Sequence, residues 1–352
     1  MSFAPIKIKG RGAADNRPGR FEVLQREAES DDIAAHRSPA TTVMLQSVRS
    51  IITRNDSPDI PFSQSINPYQ GCEHGCIYCY ARPSHAYLGL SPGLDFESRL
   101  FAKENAAELL RSELMRTDYR CGVIALGANT DPYQPVEREH RITRGVLEVL
   151  REFRNPVGIV TKSSLIERDL DILGDMAADR LVQVFISVGT LDGEIARTLE
   201  PRAAAPWRRI ETIRRLREHG VPCGVLVAPI IPFLNDKDME KTLDAAHSAG
   251  ARMAGYTIVR LPWEVKHLFK DWLDRHFPLK ASHVMARIRD MRGGRDNDPV
   301  FGRRMRGEGL FADLIRDRFS IACKQFDLNR DERNRLDTGK FLRSGAAQMA
   351  LF

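Results

Sequence analysis

The stretch Cys72-Glu-His-Gly-Cys76-Ile-Tyr-Cys79 contains three of the chain's six cysteines. Three thiolates with the spacing C-x3-C-x2-C can bind one soft metal centre from a single short loop, and Gly71 and Gly75 give that loop backbone freedom. A complete iron–sulfur site usually has four cysteine ligands. No fourth cysteine lies nearby, so the pattern predicts a centre with an open coordination position, which is typical of a reactive site.

Three interpretations of this stretch are open. In the first, Cys72, Cys76 and Cys79 bind a [4Fe–4S] cluster whose fourth iron takes a small molecule. In the second, His74 completes a zinc site, although zinc fingers usually add a second ligand pair further along the chain and His74 lies between two of the ligands. In the third, these are ordinary buried or disulfide cysteines, although neighbours this close rarely pair with one another. The spacing favours the first interpretation.

The pattern C-x3-C-x-aromatic-C, with Tyr78 at the aromatic position, resembles the signature of the radical S-adenosylmethionine (radical SAM) superfamily. The resemblance implies that the open iron binds the amino and carboxylate groups of S-adenosyl-L-methionine (SAM), and that an electron donor such as flavodoxin or ferredoxin reduces the cluster. It also implies that the reduced cluster cleaves the sulfonium and that a 5′-deoxyadenosyl radical takes a hydrogen atom from a substrate. In such an enzyme the cofactors carry the difficult chemistry and the protein orients them.

Beyond the cysteines, short apolar runs alternate with helical patterns, which is typical of parallel βαβ units. Strands are predicted at residues 62–69, 121–127, 156–161, 182–188, 221–229 and 255–260. Helices are predicted at residues 100–116, 138–153, 165–178, 207–219 and 236–248. Six βα units are too few for a closed eight-stranded barrel but fit a partial one, whose active face lies at the carboxyl ends of the strands. The predicted fold is therefore an α/β (β/α)6 partial TIM barrel of the radical SAM type, with the cysteine loop after its first strand.

Polar residues that follow the predicted strands resemble those of the spore photoproduct lyase-like branch of the superfamily, often labelled DNA repair photolyase. The resemblance covers about residues 65–260. The cofactor contacts that it implies are Tyr78, Thr130, Asp131, Lys162 and Ser187. In that branch the lysine contacts the cofactor carboxylate, and the aromatic residue before the third cysteine lies by the adenine. Glu200 and Arg202, which follow the fourth strand, are additional candidates for cofactor contacts.

Tyr80 is the candidate for radical or hydrogen transfer, because it matches a tyrosine that helps to return the hydrogen atom in the spore lyase. One position departs from that enzyme. Where the lyase has a cysteine that donates a hydrogen atom to the substrate radical, this chain has Ala128. Cleavage of spore photoproduct as the lyase performs it is therefore not predicted. Cys121 and Cys223 could replace that thiol only if their side chains faced the cavity.

Size and composition are consistent with one barrel-sized domain and appendages, because 352 residues can bury a large core. No apolar run reaches the roughly 18 residues that a membrane span requires, and the N-terminus lacks the apolar core of a signal peptide. The remaining cysteines are scattered singly, which suits a reducing compartment. A cytoplasmic protein without membrane contact is therefore expected.

The patterns divide the chain into four parts. Residues 1–60 form a largely irregular N-terminal arm, of which about the first 40 are expected to be disordered or laid along the surface. Residues 61–262 form the radical SAM core. Residues 263–345 form a basic helical region, with helices predicted at residues 264–277, 282–291 and 310–326. Residues 346–352 form a tail.

Charge and the tail point to nucleic-acid partners. Residues 261–352 contain 19 Lys and Arg against 13 Asp and Glu, which accounts for the whole net charge of +6. The densest part contains Arg287, Arg289, Arg292, Arg295, Arg303, Arg304 and Arg306. Such a patch can neutralise DNA phosphates, although it can equally be a solvated surface. The tail residues Gln348, Leu351 and Phe352 resemble the peptide by which many bacterial repair proteins dock on the DNA sliding clamp.

Two functions from different classes follow. The favoured one is a radical SAM enzyme that abstracts hydrogen from a substrate, with a nucleic acid preferred as that substrate. The alternative is a non-catalytic metal-binding adaptor that the tail recruits to the replication and repair machinery.

Overall fold

A computed structural model describes residues 8–21, 39–330 and 335–343 of the chain. The predicted clamp-docking residues Gln348, Leu351 and Phe352 lie outside the described residues, so clamp docking stays a prediction. In the part of the chain that the structure describes, every helix is too short or too polar to cross a membrane.

The described residues form two sheets and the helices that connect and cover their strands. The strands are β1 (Thr42–Gln46), β2 (Thr53–Arg54), β3 (Gln64–Ile66), β4 (Tyr69–Gln70), β5 (Arg99–Lys103), β6 (Ile124–Leu126), β7 (Val157–Thr161), β8 (Val182–Ser187), β9 (Cys223–Ile230) and β10 (Met253–Ile258). The α-helices are α1 (Leu94–Ser98), α2 (Ala106–Met115), α3 (Glu137–His140), α4 (Ile142–Glu152), α5 (Leu170–Ala178), α6 (Gly193–Leu199), α7 (Pro206–Glu218), α8 (Met239–Ser248), α9 (Val265–His276), α10 (Pro278–Asp290) and α11 (Leu310–Gln325). Short 3₁₀ helices lie at Arg82–Leu88, Ser164–Asp169, Asp236–Asp238 and Thr338–Lys340.

The main sheet has the strand order β10-β9-β8-β7-β6-β3-β2. Each neighbouring pair from β3 to β10 is parallel, and the short β2 runs antiparallel to β3. The two outer strands of this row, β10 and β2, are not paired with each other, so the sheet is open. The prediction of an α/β fold with six parallel strands in chain order is confirmed, and the first of them, β3, leads towards the cysteine loop, residues 72–79.

Helices pack on this sheet to form one continuous apolar core. Alternate side chains of β7 and β8 are fully buried, including Val157, Ile159, Val182 and Val184. Burial of apolar side chains is the main favourable term in folding, which explains why these strands are recognisable as apolar runs.

Residues 100–116 do not form the single predicted helix. Arg99–Lys103 form β5, which pairs along its five residues with β1 and also contacts β4, and α2 begins only at Ala106. Strand partners that are distant in the sequence decide this segment, and helical periodicity cannot reveal them. The resulting sheet β1-β5-β4 supports the chain where it enters the cysteine loop.

Other predicted helices are present with different bounds. The helix predicted at residues 138–153 is divided into α3 and α4 at Arg141, whose φ is 52°. The C-terminal helices α9, α10 and α11 confirm the predicted helical character of that region. Trp272 of α9 donates from Nε1 to the carbonyl of Thr198 at 3.0 Å, and α9 and α10 share an apolar cluster with Ile77 of the cysteine loop. The C-terminal helices thus pack on the core, and a domain boundary at residue 262 stays a prediction.

Candidate active site

The cysteine loop lies at the carboxyl end of the parallel sheet, directly after β4. Gly71 and Gly75 have positive φ angles of 77° and 66°, as the tight loop requires. The amide of Cys72 donates to the carbonyl of Phe96 at 2.9 Å, which fastens the loop to α1. The sequence prediction of a glycine-assisted turn at the end of the first strand therefore agrees with the backbone.

The buried ion pair between Arg82 and Glu97 stabilises the backbone of the cysteine loop. Arg82 is fully buried and donates to the carbonyls of Gly75 and Cys76 at 3.1 Å and 2.9 Å. It also forms an ion pair with Glu97, which is itself fully buried. Sequence reasoning missed both residues, because nothing local distinguishes this arginine and this glutamate from the many others. Their position between the cysteines and the next strand is the only signal that the sequence carries.

The N-terminal segment closes over the same loop. The amides of Gly12 and Ala13 donate to the Glu97 carboxylate at 3.0 Å and 2.9 Å, and Arg11 Nη1 donates to the Glu97 carbonyl at 2.6 Å. Residues 11–13 are buried, so this part of the arm is not laid along the surface as predicted. The backbone of Gly12 packs so closely on the loop that an added Cβ would lie 1.9 Å from the carbonyl oxygen of Gly75.

The three thiols form a donor set that fits an iron–sulfur cluster. All three are free, and Cys72 and Cys76 are only 7% and 8% exposed. Burial raises the pKa of each thiol, to about 12 for Cys76, so a cationic metal centre is needed to hold them as thiolates.

A single zinc ion fits this site less well. Zinc needs a complete set of ligands that converge on one ion. The candidate fourth zinc ligand, His74, instead has its Nδ1 3.3 Å from Asp131 Oδ2. Each thiolate of a cluster binds a different iron, so a cluster does not require that convergence.

Glu200 connects the cysteine loop to the ends of β7 and β8. It accepts hydrogen bonds from the hydroxyl of Tyr78 and from Arg209. Burial opposes ionisation of this carboxyl, but the charges of Arg209 and Lys162 outweigh it and hold the pKa of Glu200 below its usual range. Arg209 also donates to the carbonyl of Ser187 at 2.9 Å. Sequence reasoning predicted Glu200 but missed Arg209, whose place on α7 gives no local signal.

Lys162 lies beside the Glu200–Arg209 pair. Its ammonium group forms no hydrogen bond or close ion pair with a described residue. Its Nζ is 5.9 Å from the centroid of the Tyr78 ring. Its backbone amide donates to Asp131 at 2.8 Å, and no described residue accepts a hydrogen bond from the ammonium group. The charges of Cys76 and Glu200 outweigh the burial of Lys162 and raise its pKa. The structure therefore places a charged lysine, without a hydrogen-bond acceptor among the described residues, next to two residues predicted to contact the cofactor.

The residues after β6 are engaged by the protein. The hydroxyl of Thr130 donates to the carbonyl of Tyr69 at 2.8 Å. Asp131 accepts hydrogen bonds from the Thr161 hydroxyl at 2.7 Å and from the Lys162 amide. Burial disfavours its charged form, but His74 and these hydrogen bonds lower the pKa of Asp131 to about 2. This carboxylate therefore joins the cysteine loop to the end of β7.

The remaining predicted site residues lie at the same edge of the sheet. The hydroxyl of Ser187 donates to the carbonyl of Ala228 at 3.2 Å. Arg202 forms an ion pair with Glu73 of the cysteine loop at 3.0 Å. The half-exposed Tyr80 donates its hydroxyl to the carbonyl of Ala128. The structure thus brings Tyr80, the candidate hydrogen-transfer residue, into contact with the backbone of Ala128.

The two other cysteines near the sheet do not replace that thiol. Cys223 is the first residue of β9, and its Sγ lies near the carbonyls of Ile213 and Gly250. Cys121 precedes β6, and its Sγ lies 3.4 Å from Asn155 Oδ1. Both cysteines therefore lie at the amino ends of their strands, on the edge of the sheet opposite to the cysteine loop.

Several arginines of the basic C-terminal region have partners within the fold. Arg292 is buried and donates to the carbonyls of Arg303, Arg304, Ile258 and Val259. The ion pairs in this region are Arg287–Asp290, Arg289–Asp296, Arg303–Asp298, Arg303–Glu308 and Arg304–Asp59. DNA binding by this region stays a prediction, and the count of its arginines overstates the positive charge that is left for a partner.

A parallel α/β sheet with three free thiols at the carboxyl end of its first strand, two of them buried and one half-buried, is typical of an iron–sulfur enzyme of the partial-barrel class. Comparison with known families gives the particular family. The radical SAM superfamily profile matches residues 66–246, and the chain belongs to the radical SAM superfamily. It is therefore a radical SAM enzyme whose cofactors are a [4Fe–4S] cluster and SAM, and such enzymes generally need a reductant such as flavodoxin or ferredoxin.

Relatives and solved structures agree with this assignment. An uncharacterized protein of Mycobacterium tuberculosis is 36% identical over 236 residues, which cover 66% of this chain and 68% of that protein. An uncharacterized protein of Methanocaldococcus jannaschii is 29% identical over 171 residues, covering 49% of this chain and 61% of that protein. Spore photoproduct lyase complexed with dinucleoside spore photoproduct has the same fold, with a TM-score of 0.56 at 14% identity over 81% of this chain and 79% of that chain. A form of that lyase with bound AdoMet and dinucleoside spore photoproduct gives a TM-score of 0.57 at 15% identity over 88% and 86%.

Proposed function

We propose that the three cysteines of the loop bind the [4Fe–4S] cluster and that Lys162 binds the carboxylate of SAM. The observation that carries this proposal is the position of the Lys162 ammonium group, which lies 5.9 Å from the Tyr78 ring centroid and has no hydrogen-bond acceptor among the described residues. A lysine is a compact positive charge that pairs readily with a carboxylate. A charged group that is largely removed from water is costly unless it is paired. The carboxylate of SAM supplies the hydrogen-bonded negative partner that the described residues do not provide.

When bound, the cluster and SAM supply a 5′-deoxyadenosyl radical. The residues of the chain hold and orient these groups. Glu200 fixes the hydroxyl of Tyr78, so that the Tyr78 ring is a rigid wall for the adenine. Asp131 holds the backbone of Lys162, and Ser187 and Thr130 complete the same edge of the site. Arg202 acts through Glu73 on the cysteine loop and is a positioning residue.

Anaerobic reconstitution of a Cys76→Ala variant with iron and sulfide tests the cluster ligands. The unaltered chain should bind about four irons and produce 5′-deoxyadenosine when it is reduced with SAM present. The variant should lose iron and make no product. Production of 5′-deoxyadenosine by the variant would overturn the ligand assignment.

Equilibrium dialysis with labelled SAM tests Lys162 separately from chemistry. Lys162→Met should weaken SAM binding about tenfold or more, because a charge-assisted hydrogen bond contributes roughly 1.5–3 kcal/mol. Lys340→Met is the matched control, since Lys340 pairs with Asp179 away from the site. Equal SAM affinity of the Lys162→Met variant and the unaltered chain would contradict the assignment.

We further propose that the substrate is a nucleic acid. This rests on the fold shared with a lyase that binds a dinucleoside photoproduct, and on the net charge of +6. Because Ala128 replaces the lyase's thiol, the proposed reaction is a different radical transformation of a nucleotide, with Tyr80 as the residue that exchanges hydrogen with the substrate. Salt-dependent binding of an oligonucleotide to the reconstituted enzyme is the expected result. Absence of binding to single- and double-stranded DNA and to RNA at low salt would refute this substrate class.

A further inference from the structure

Arg260 is half-buried beside Tyr80, and no oxygen atom of the described residues accepts a hydrogen bond from its guanidinium group. It lies two residues beyond the end of β10, and its Cζ is 5.6 Å from the centroid of the Tyr80 ring. Its Nη1 donates to the Sδ of Met305 at 3.6 Å, and a thioether is a weak acceptor. Its Nε is inaccessible and has no partner among the described residues.

Neighbouring arginines have oxygen acceptors. Arg304 pairs with Asp59 and donates to the hydroxyl of Ser57, while Arg292 donates through Nη1 and Nη2 to backbone carbonyls, although its Nε also has no partner among the described residues. Asp59 is the carboxylate whose charge also acts on Arg260, but its oxygens are taken by Arg304 and by the amide of Gly302. Two guanidinium groups thus share one carboxylate, and positive charge is left on the side of Arg260.

The partly buried position of Arg260 makes this excess charge significant. Burial and the charge of Arg304 lower the pKa of Arg260. A guanidinium that is partly removed from water and lacks an oxygen acceptor is costly to fold, and a bound oxyanion removes that cost. The group therefore has the character of an anion-binding residue.

The Tyr80 ring beside Arg260, and a separate group of exposed rings around Arg20, indicate which anion. The ring of Tyr80 is 48% exposed, and its hydroxyl is fixed on the carbonyl of Ala128. Trp263, three residues beyond Arg260, is 64% exposed, and the guanidinium of Arg20 lies 4.5 Å from its ring centroid. Tyr87 is 73% exposed and contacts the same guanidinium group. Exposed rings that alternate with guanidinium groups are typical of surfaces on which bases stack and phosphates pair.

We propose that Arg260 and Tyr80 form a nucleotide subsite, in which the guanidinium group binds a backbone phosphate of the substrate and the Tyr80 ring contacts the adjoining base. The proposal rests on the proposed nucleic-acid substrate and deepens it, because it assigns the residue that places the substrate over the hydrogen-transfer tyrosine. A peptide carboxylate would use the guanidinium group but not the exposed Tyr80 ring beside it, so a nucleotide accounts for more of the observed contacts.

Fluorescence anisotropy of a labelled single-stranded oligonucleotide, titrated with reconstituted enzyme at several salt concentrations, tests this subsite. Arg260→Gln should weaken binding about tenfold at low salt and reduce the slope of log K against log salt by about 0.7, the value for one phosphate contact on a single strand. Arg260→Lys, which keeps the charge, should retain most of the slope. Arg316→Gln is the control with the same loss of charge, since Arg316 pairs with Asp313 on the exposed face of α11.

The possible results separate this inference from the proposed substrate class. If the unaltered enzyme binds the oligonucleotide and Arg260→Gln leaves the slope unchanged, the subsite is refuted while the substrate class stands. If the unaltered enzyme binds no oligonucleotide, both are refuted. If an acidic peptide of equal charge displaces the oligonucleotide from the unaltered enzyme but not from Arg260→Gln, the guanidinium group serves a carboxylate and the nucleotide subsite is wrong. The far-UV circular dichroism spectrum and the iron content should be equal in all variants, which shows that each retains its fold and its cluster.

Discussion

Replacing Gly12 by alanine tests whether the N-terminal segment holds the cysteine loop in place. An alanine Cβ at this position would lie 1.9 Å from the carbonyl oxygen of Gly75 and 3.3 Å from Glu97 Oε1. Cβ atoms in proteins essentially never approach within 3.0 Å of another heavy atom, and the atom that Cβ meets belongs to the backbone, which cannot swing away. The segment must therefore move away from the loop by about 1 Å or more, as estimated from those distances.

Such a movement breaks the hydrogen bonds from the amides of Gly12 and Ala13 to the Glu97 carboxylate, at 3.0 Å and 2.9 Å. Each hydrogen bond to a charged group contributes roughly 1.5–3 kcal/mol, so we expect a loss of about 3–6 kcal/mol if both break and less if water replaces them. Among the described residues, the Glu97 carboxylate then keeps its hydrogen bond from Arg82. The Gly75 carbonyl of the cysteine loop loses its packing contact with Gly12.

Two measurements check this expectation. Denaturant unfolding of the metal-free protein should show the loss of stability. The reconstituted protein should lose its visible cluster absorbance faster than the unaltered chain when a chelator is added. Gly193→Ala is the matched control, since an added Cβ there meets no atom within 4 Å. If Gly12→Ala and Gly193→Ala were equally stable and lost iron at the same rate, the N-terminal segment would have no role in holding the loop.

Three further substitutions test other parts of the site and fold. Arg82→Met should destabilise the protein by about 3–5 kcal/mol, because Glu97 is left as a buried charge without its arginine; Arg82→Met/Glu97→Gln should recover part of that loss in the same denaturant assay, and no recovery would contradict the pairing. Glu200→Gln should weaken SAM binding by equilibrium dialysis several-fold while iron content stays unchanged, and an unchanged affinity would remove Glu200 from the cofactor site. Gly224→Ala should cost about 1–3 kcal/mol, since its Cβ would lie 2.7 Å from a backbone oxygen of the next strand; Gly158→Ala, whose Cβ meets nothing closer than 3.9 Å, is the control and should leave thermal stability within about 0.5 kcal/mol of the unaltered chain.

The sequence predicted those features that depend on neighbours along the chain. Each parallel strand is a short apolar run because both of its faces are buried, so the six strands and their order could be read directly. The cysteine spacing and the glycines of the loop are likewise local. The family resemblance added the residues after β6, β7 and β8, and the structure brings all of these to one edge of the sheet.

Features that depend on distant neighbours were not predictable in this way. Residues 99–103 form a strand because β1, more than 50 positions earlier, pairs with them. Gly12 is buried because its amide meets the carboxylate of Glu97, 85 residues away. The pairing of individual charges could not be predicted for the same reason, since Arg304 pairs with Asp59 across 245 residues. Composition counts charges, but only the fold shows which of them have partners.

Two cationic side chains that lack oxygen acceptors among the described residues indicate where anionic groups bind in the site. On one side, Lys162 lies next to Tyr78 without an acceptor, while Glu200 is already paired with Arg209. On the other side, Arg260 lies next to Tyr80, also without an oxygen acceptor among the described residues. The two tyrosines flank Cys79, the third predicted cluster ligand, in the sequence. Two anionic groups are then expected to meet at this loop, the carboxylate of SAM at Lys162 and a substrate phosphate at Arg260. Such an arrangement would place the substrate against the cofactor before any hydrogen is transferred.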